Sequence, residues 1–286
     1  MRAFLAEFLA DPRVVRLPRW IWLPVLFFIL KTRPKKTAGK YAAIWTPEGS
    51  PLAVHTARQR TFLQKALPDM QVEYAMRYGA PSIAAGLKRL SDCEAVTVVP
   101  LYPQFARSTT ESVRDCLPPG ARMIEGFHDD PGYIGALAAG VREHWRARGR
   151  GEKLVMSFHG LPRREIDRGD PYRDQCVATA KLLAGSLKLA PGDYLVTFQS
   201  RFGAAEWLMP YTAPTLDWLA RQGAKRIDVV FPGFVADCLE TLEEIGIAAR
   251  TAFMAAGGTE LSLVPCLNEA DDWIEALGRI AGGAPA

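Results

Sequence analysis

From residue 70 onward the chain alternates short aliphatic, β-rich runs with longer windows whose apolar residues recur every three or four positions. The short runs fall at 71–76 (QVEYAM), 95–101 (AVTVVPL), 122–127 (RMIEGF), 153–158 (KLVMSF), 194–199 (YLVTFQ), 226–231 (RIDVVF) and 261–264 (LSLV). The helical windows lie near 81–90, 108–116, 132–148, 170–188, 212–222, 235–246 and 268–281. Strand–helix alternation of this kind predicts an α/β protein with parallel sheets covered by helices on both faces. Seven strands suit two doubly wound units better than one barrel, which would want eight. The polar stretch RARGRGEK (146–153) is the expected linker, making 1–148 the first domain and 149–267 the second. The final helical window, taken as 268–286, is expected to pack back on the first domain. The chain opens on a helical pattern, MRAFLAEFLADP, whereas a βαβ arrangement starts with a strand. A first strand is therefore expected to be missing upstream.

One segment breaks the pattern. LPRWIWLPVLFFILKTRPKK (17–36) joins an aromatic and aliphatic run to a basic cluster. The run is too short to span a bilayer and is interrupted by Pro24. No small-residue cleavage site follows it, which argues against a signal peptide. Two readings stand: a buried core helix with a basic cap, or a hydrophobic lip flanked by Arg33, Lys35 and Lys36. Such a lip would rest on an anionic membrane or hold an apolar, anionic ligand.

Composition changes the picture little. Of 286 residues, 49% are apolar and 23% charged, and the formal charge of +4 is too small to argue for nucleic acid. The five cysteines, at 93, 116, 176, 238 and 266, show no CxxC pair and read as thiols of a reducing compartment. No GxSxG elbow, GxxxxGK[ST] loop, GxGxxG turn or HExxH motif occurs, which removes the common hydrolase, nucleotide and zinc-protease readings.

The candidate chemistry sits at strand ends. In KLVMSFHGLP (153–162) the apolar run is broken at His159, Gly160 and Pro162, which places the imidazole just past a strand's carboxyl end, where open α/β sheets bind ligands. The plain alternative is a histidine that only hydrogen-bonds its own loop. TFQSRFGAAEWLMPYT (197–212) brings Gln199, Arg201, Trp207 and Tyr211 to another strand end. FPGFVADCLETLEEI (231–245) carries Asp237, Glu240 and Glu244 at helical spacing, on one face of the expected helix. Asp237 could simply complement the helix dipole. Glu240 and Glu244 lie further in and suggest a path for cations or protons. A histidine and a glutamate meeting here would form an acid–base pair or an open metal site, since two ligands are too few for a structural metal.

SFHGLP, GDPYRDQC (169–176), TFQSRFGAAEWLMPYT and PGFVADCLETLEEI, in this order and spacing, resemble the ferrochelatases of Gram-negative bacteria. So do AEFLADPRVV (6–15), IWTPEGSPL (44–52), MRYGAPSI (76–83) and YPQFARSTT (102–110), so the resemblance covers nearly the whole chain. It implies a chelatase-like fold of two Rossmann-like domains and insertion of Fe2+ into protoporphyrin IX, with release of two protons. Carried over by motif, it makes His159 the base and metal-side ligand and Glu240 the metal ligand or proton acceptor. Arg77, Tyr78, Trp207 and Phe234 fall in the family's porphyrin pocket. Arg33, Lys36 and Ser50 align with positions that hold the propionates, and Asp237 and Glu244 with the proton or metal path.

The departures are also informative. Family members with an iron–sulfur cluster use a cysteine where this chain has Arg107, and their C-terminal cysteines have no counterpart in GRIAGGAPA. No cluster and no permanently bound cofactor are therefore expected, with iron as substrate. Cys238 stands where some relatives place a second histidine. The resemblance implies a cytoplasmic monomer, with peripheral contact at the inner membrane through the lip. The competing reading is a porphyrin-binding or related chelatase protein left inactive by the missing first strand.

Overall fold

The computed structural model describes residues 1–282. Its larger sheet has four parallel strands in the order β4-β3-β5-β6. These are β3 (Lys153–His159), β4 (Tyr194–Gln199), β5 (Arg226–Val230) and β6 (Glu260–Leu263). Period-two alternation decides what each face of β3 meets. Leu154, Met156 and Phe158 enter one buried cluster, whereas Val155 enters another with Leu216, Ile227, Val229, Ile245 and Phe253. Both faces are apolar because helices cover both, as the continuous hydrophobic run anticipated.

The helices on the first face are α6 (Pro131–Arg148), α8 (Tyr172–Ser186) and α11 (Asp271–Gly282). On the second face lie α9 (Thr212–Arg221), the π-helical segment Glu240–Ala249 and α10 (Arg250–Ala255). The start of α6 is well specified. Asp130 accepts a hydrogen bond from the Tyr133 amide at 2.9 Å, and Pro131 opens the first turn. α11 packs on α6 and on α3 (Pro51–Ala66). Residues 283–286 of that last window lie outside the described residues.

The first half carries less regular structure than its sequence predicts. The 95–101 run shortens to β1 (Thr97–Val98) and the 122–127 run to β2 (Arg122–Met123), which pair in parallel. The expected strand 71–76 forms no ladder. Its backbone is served by side chains instead: Gln64 Oε1 accepts from the Val72 amide, while Arg60 and Arg89 donate to the carbonyls of Val72 and Tyr74. The reason is the lack of a neighbouring strand, since β-propensity alone cannot satisfy a ladder. Short helices α4 (Ile83–Arg89), α5 (Thr110–Arg114) and, in the second half, α7 (Arg163–Asp167) complete the framework.

The two halves share a core. One buried cluster joins Leu63, Phe127, Tyr133 and Val141 to Met156, Phe158, Phe198 and Trp273. Trp273, fully buried on α11, packs against the rings of Phe127 and Tyr133 at 5.5 and 5.9 Å.

All but the first two residues of the 17–36 segment lie in α2 (Arg19–Ala42), and the buried-core-helix reading does not hold. Only Trp22 and Leu26 are buried, against Leu9 of α1 (Arg2–Ala10), and Trp22 Nε1 donates to the Leu9 carbonyl at 2.6 Å. Trp20 is 78% exposed and Phe28 66%, and Leu23, Val25 and Phe27 are exposed as well. Among the described residues no helix is long and apolar enough to cross a membrane.

Candidate active site

His159 ends β3 in parallel register with Gln199 at the end of β4. Its Nδ1 lies 2.7 Å from the carbonyl oxygen of Gly160. A carbonyl only accepts, so Nδ1 carries the proton and Nε2 of the neutral ring keeps its lone pair. The His159 carbonyl accepts from the Tyr172 hydroxyl at 2.9 Å, which ties the strand end to α8. The rings of Trp207 and Phe234 each stand 6.4 Å from the imidazole, flanking it with apolar surface. Gly160 permits this closeness. A Cβ there would lie 2.8 Å from the Gln199 carbonyl oxygen and 3.1 Å from the Trp207 ring.

Glu240 opens the π-helical segment, a ten-residue run of a helix type that is rare and concentrated at functional sites. Its carbonyl accepts from Gln199 Nε2 at 2.8 Å, so Gln199 links the partner strand of His159 to the backbone of Glu240. The Glu240 charge is felt from two directions. Burial first, then Glu240 and Cys238, push the phenol of Tyr41, near the end of α2, up to about 12. Burial likewise raises the phenol of Tyr102; Arg77 opposes that shift and Glu240 adds to it. Arg77 and Glu240, from opposite halves of the chain, thus bear on the same phenol with opposite sign.

The expected row of acids is interrupted. Asp237 precedes the helix rather than sharing its face. Its carboxylate accepts from Thr241 Oγ1 at 3.0 Å and from Asn268 Nδ2 at 2.8 Å. Glu244 accepts from the amide and hydroxyl of Ser200 at 2.7 and 2.6 Å. Ser200 has φ of +65°, in the left-handed region, and the two bonds to Glu244 hold the turn that follows β4. The α-helical spacing failed because the chain runs irregularly through Asp237 and then adopts wider π turns.

The residues expected to meet the porphyrin are spread along the two halves. Arg77 and Tyr78 are both tied to Asp11, which accepts from Arg77 at 2.5 Å, Tyr78 at 2.8 Å and Ser112 at 2.6 Å. Burial opposes ionisation of Asp11. The bonds from Ser112, the Arg13 amide and Tyr78, with the Arg77 charge, outweigh it and hold the carboxyl below its ordinary range. Arg33 stacks over the Phe202 ring at 4.3 Å, which joins α2 to the loop after β4. Lys36 is exposed on α2. Ser50 is the N-cap residue of α3, yet its hydroxyl makes no cap bond. Neither Lys36 nor Ser50 hydrogen-bonds to His159, Trp207, Phe234 or Glu240.

Several contributors were not legible as site residues. Asp11 and Ser112 hold the Arg77–Tyr78 pair across long sequence gaps. Lys40 of α2 pairs with the largely buried Glu243 at 2.7 Å, anchoring α2 to the π-helical segment. A separate cavity of about 580 Å³, lined by Pro12, Arg13, Arg16, Arg107 and Glu111, shares no residue with the His159 cluster. Its arginines are largely engaged, Arg13 with Glu111 and Asp115 and Arg16 with Glu165. Among the described residues no group of three His, Cys, Asp or Glu side chains is placed to close around a metal.

Parallel strands with a histidine at one strand mouth and an acidic helix after the next belong here to a chelatase-like fold. The backbone is similar to that of SirB from Bacillus subtilis with Fe3+, at TM-score 0.56 and 15% identity over 82% of this chain and 93% of that one. It is also similar to CbiX, the terminal enzyme of sirohaem biosynthesis in denitrifying bacteria. That match has TM-score 0.54 and 18% identity over 83% of this chain and 95% of that one. At such identities the likeness speaks for the fold.

The sequence defines the family more closely. The ferrochelatase family pattern matches residues 1–282, and the chain belongs to the ferrochelatases, enzymes that insert Fe2+ into a porphyrin for haem synthesis. It is 57% identical to the ferrochelatase of Azoarcus sp. (strain BH72) and 54% to that of Aromatoleum aromaticum, in each case over 98% of this chain and 81% of the relative.

Proposed function

We propose that the porphyrin is protoporphyrin IX, that His159 takes the pyrrole protons through Nε2, and that Glu240 holds the incoming iron. The observation that carries this reading is the bond from His159 Nδ1 to the Gly160 carbonyl, which leaves Nε2 as the basic nitrogen. A free-base porphyrin must lose two N–H protons as the metal enters, and an imidazole with an unperturbed pKa of about 6.5 suits that transfer. Trp207 and Phe234 offer flat apolar surfaces beside the imidazole, where a macrocycle would lie. Glu240 alone, with His159, makes an open ligand set that releases its metal readily. Asp237 and Glu244 keep unused lone pairs beyond their anchoring bonds and line the proposed cation approach.

Arg33, Lys36 and Ser50 are proposed to meet the propionates, and Arg77 and Tyr78 to form the opposite wall. No iron–sulfur cluster enters this scheme. The exposed apolar face of α2, with Lys31, Arg33, Lys35 and Lys36 beside it, supports peripheral contact of a cytoplasmic enzyme with an anionic membrane.

Zinc insertion into protoporphyrin, followed by the shift in the visible spectrum, tests the core of the proposal. His159→Ala should lose at least about 100-fold in kcat, with thermal unfolding and porphyrin fluorescence quenching unchanged. A variant that inserts metal at the wild-type rate removes His159 from the mechanism.

A further inference from the structure

We propose that Gln199 is the positioning residue for Glu240, an inference that rests on reading Glu240 as the metal-side carboxylate. Gln199 is 4% exposed and ends the strand beside that of His159. Its Nε2 donates to the Glu240 carbonyl at 2.8 Å, and its Oε1 accepts from Ser157 Oγ at 2.6 Å. The amide has one orientation. The Glu240 carbonyl can only accept, so the NH2 group must face it.

Behind Gln199 lies a buried ladder of hydroxyls. Ser157 Oγ is 2.8 Å from Thr212 Oγ1, which is 2.9 Å from Thr197 Oγ1, and all three residues are fully buried. The ladder crosses β3, β4 and the start of α9, so it references Gln199 to three elements at once. A satisfied polar network in a low-dielectric core fixes one geometry, whereas a half-satisfied one is costly. The far end of this network is the first residue of the π-helical segment. One side chain on the strand adjacent to His159 thus sets where the Glu240 backbone, and with it the carboxylate, stands relative to the imidazole.

Residue chemistry makes the idea testable. Leucine supplies neither donor nor acceptor. An ionised glutamate turns an oxygen toward the Glu240 carbonyl, and a protonated one restores the donor. A buried carboxyl takes up its proton at higher pH than an exposed one.

The experiment uses the full chain, with Zn2+ and protoporphyrin as substrates, across pH 6–8.5. At the alkaline end Gln199→Glu should raise the KM for zinc about tenfold and leave the porphyrin KM unchanged. As pH falls, Gln199→Glu should regain the wild-type zinc KM. Gln199→Leu should show the raised zinc KM at every pH. Hydrogen exchange should quicken in the amides of 240–246 and stay unchanged across α9. Wild-type zinc KM in both Gln199 variants, or a raised zinc KM in Gln199→Glu that does not recover at low pH, overturns the proposal. A Glu240→Gln variant with wild-type zinc KM overturns the reading of Glu240 itself, and is recognised because Gln199 is then untouched.

Discussion

A neutral imidazole has one basic nitrogen, and its neighbours decide which. At His159 the choice is made by the next residue's carbonyl, so the tautomer is set within the dipeptide His159-Gly160. That is why SFHG was readable as a candidate site from sequence alone: the strand end, the histidine and the small residue are contiguous. Arg77 and Tyr78 were legible only as pocket candidates, because what holds them comes from Asp11 and Ser112, far away in the chain. Spacing within a motif carries no information about such partners.

The Asp11 cluster has a pH signature. Its folded carboxyl titrates below the ordinary 3.8, so the stabilisation is present at pH above that value and is lost as pH falls through the lower folded one. Stability measured by urea unfolding for the wild type minus Asp11→Asn should therefore be flat from pH 5 to 8 and shrink below about pH 4. A difference independent of pH down to 3 would show that the carboxylate charge contributes nothing.

Elements whose partners lie on both faces were well marked in the sequence. β3 to β6 and most helices around them follow from continuous apolar runs and three-to-four spacing, with bounds close to the expected ones; the exception is the 235–246 window, observed as a π-helical segment from Glu240 to Ala249 that runs on into α10. The 71–76 run fails for the opposite reason. Its side chains favour a strand, but a strand also needs a neighbour's backbone, which no local pattern reveals. α2 was ambiguous because an apolar helix reads alike whether its outer face is covered or open. The structure leaves that face open.

An exposed apolar face beside lysines and arginines should bind anionic vesicles. The triple variant Trp20→Ser, Phe27→Ser, Phe28→Ser should co-sediment with phosphatidylglycerol-containing vesicles about tenfold more weakly, and its unfolding free energy in urea should stay within about 0.5 kcal/mol of wild type. Unchanged co-sedimentation would remove α2 from any membrane contact.

Across the whole molecule, a linker at 146–153 was expected from polarity, and that stretch does run from the end of α6 into β3. Polarity could not disclose that one buried cluster is assembled from both sides of it. Packing between distant segments is written in complementary volumes rather than in periodicity. Trp273 is the largest fully buried side chain of this shared core. Trp273→Ala should cost about 3–5 kcal/mol and lower stability in one cooperative transition; two separate transitions would mean that the halves fold independently.

α2 is clamped at both ends: by Trp22 and Leu26 against α1, and by Lys40 on Glu243 of the far half. A beam held this way cannot swing aside like a door without breaking the tryptophan contact or the ion pair. Any give must come by flexing between the clamps, where Pro34 removes a backbone hydrogen bond. Stiffness at the ends puts the compliance of the span just past its greasiest surface, where Arg33 stacks on the loop after β4.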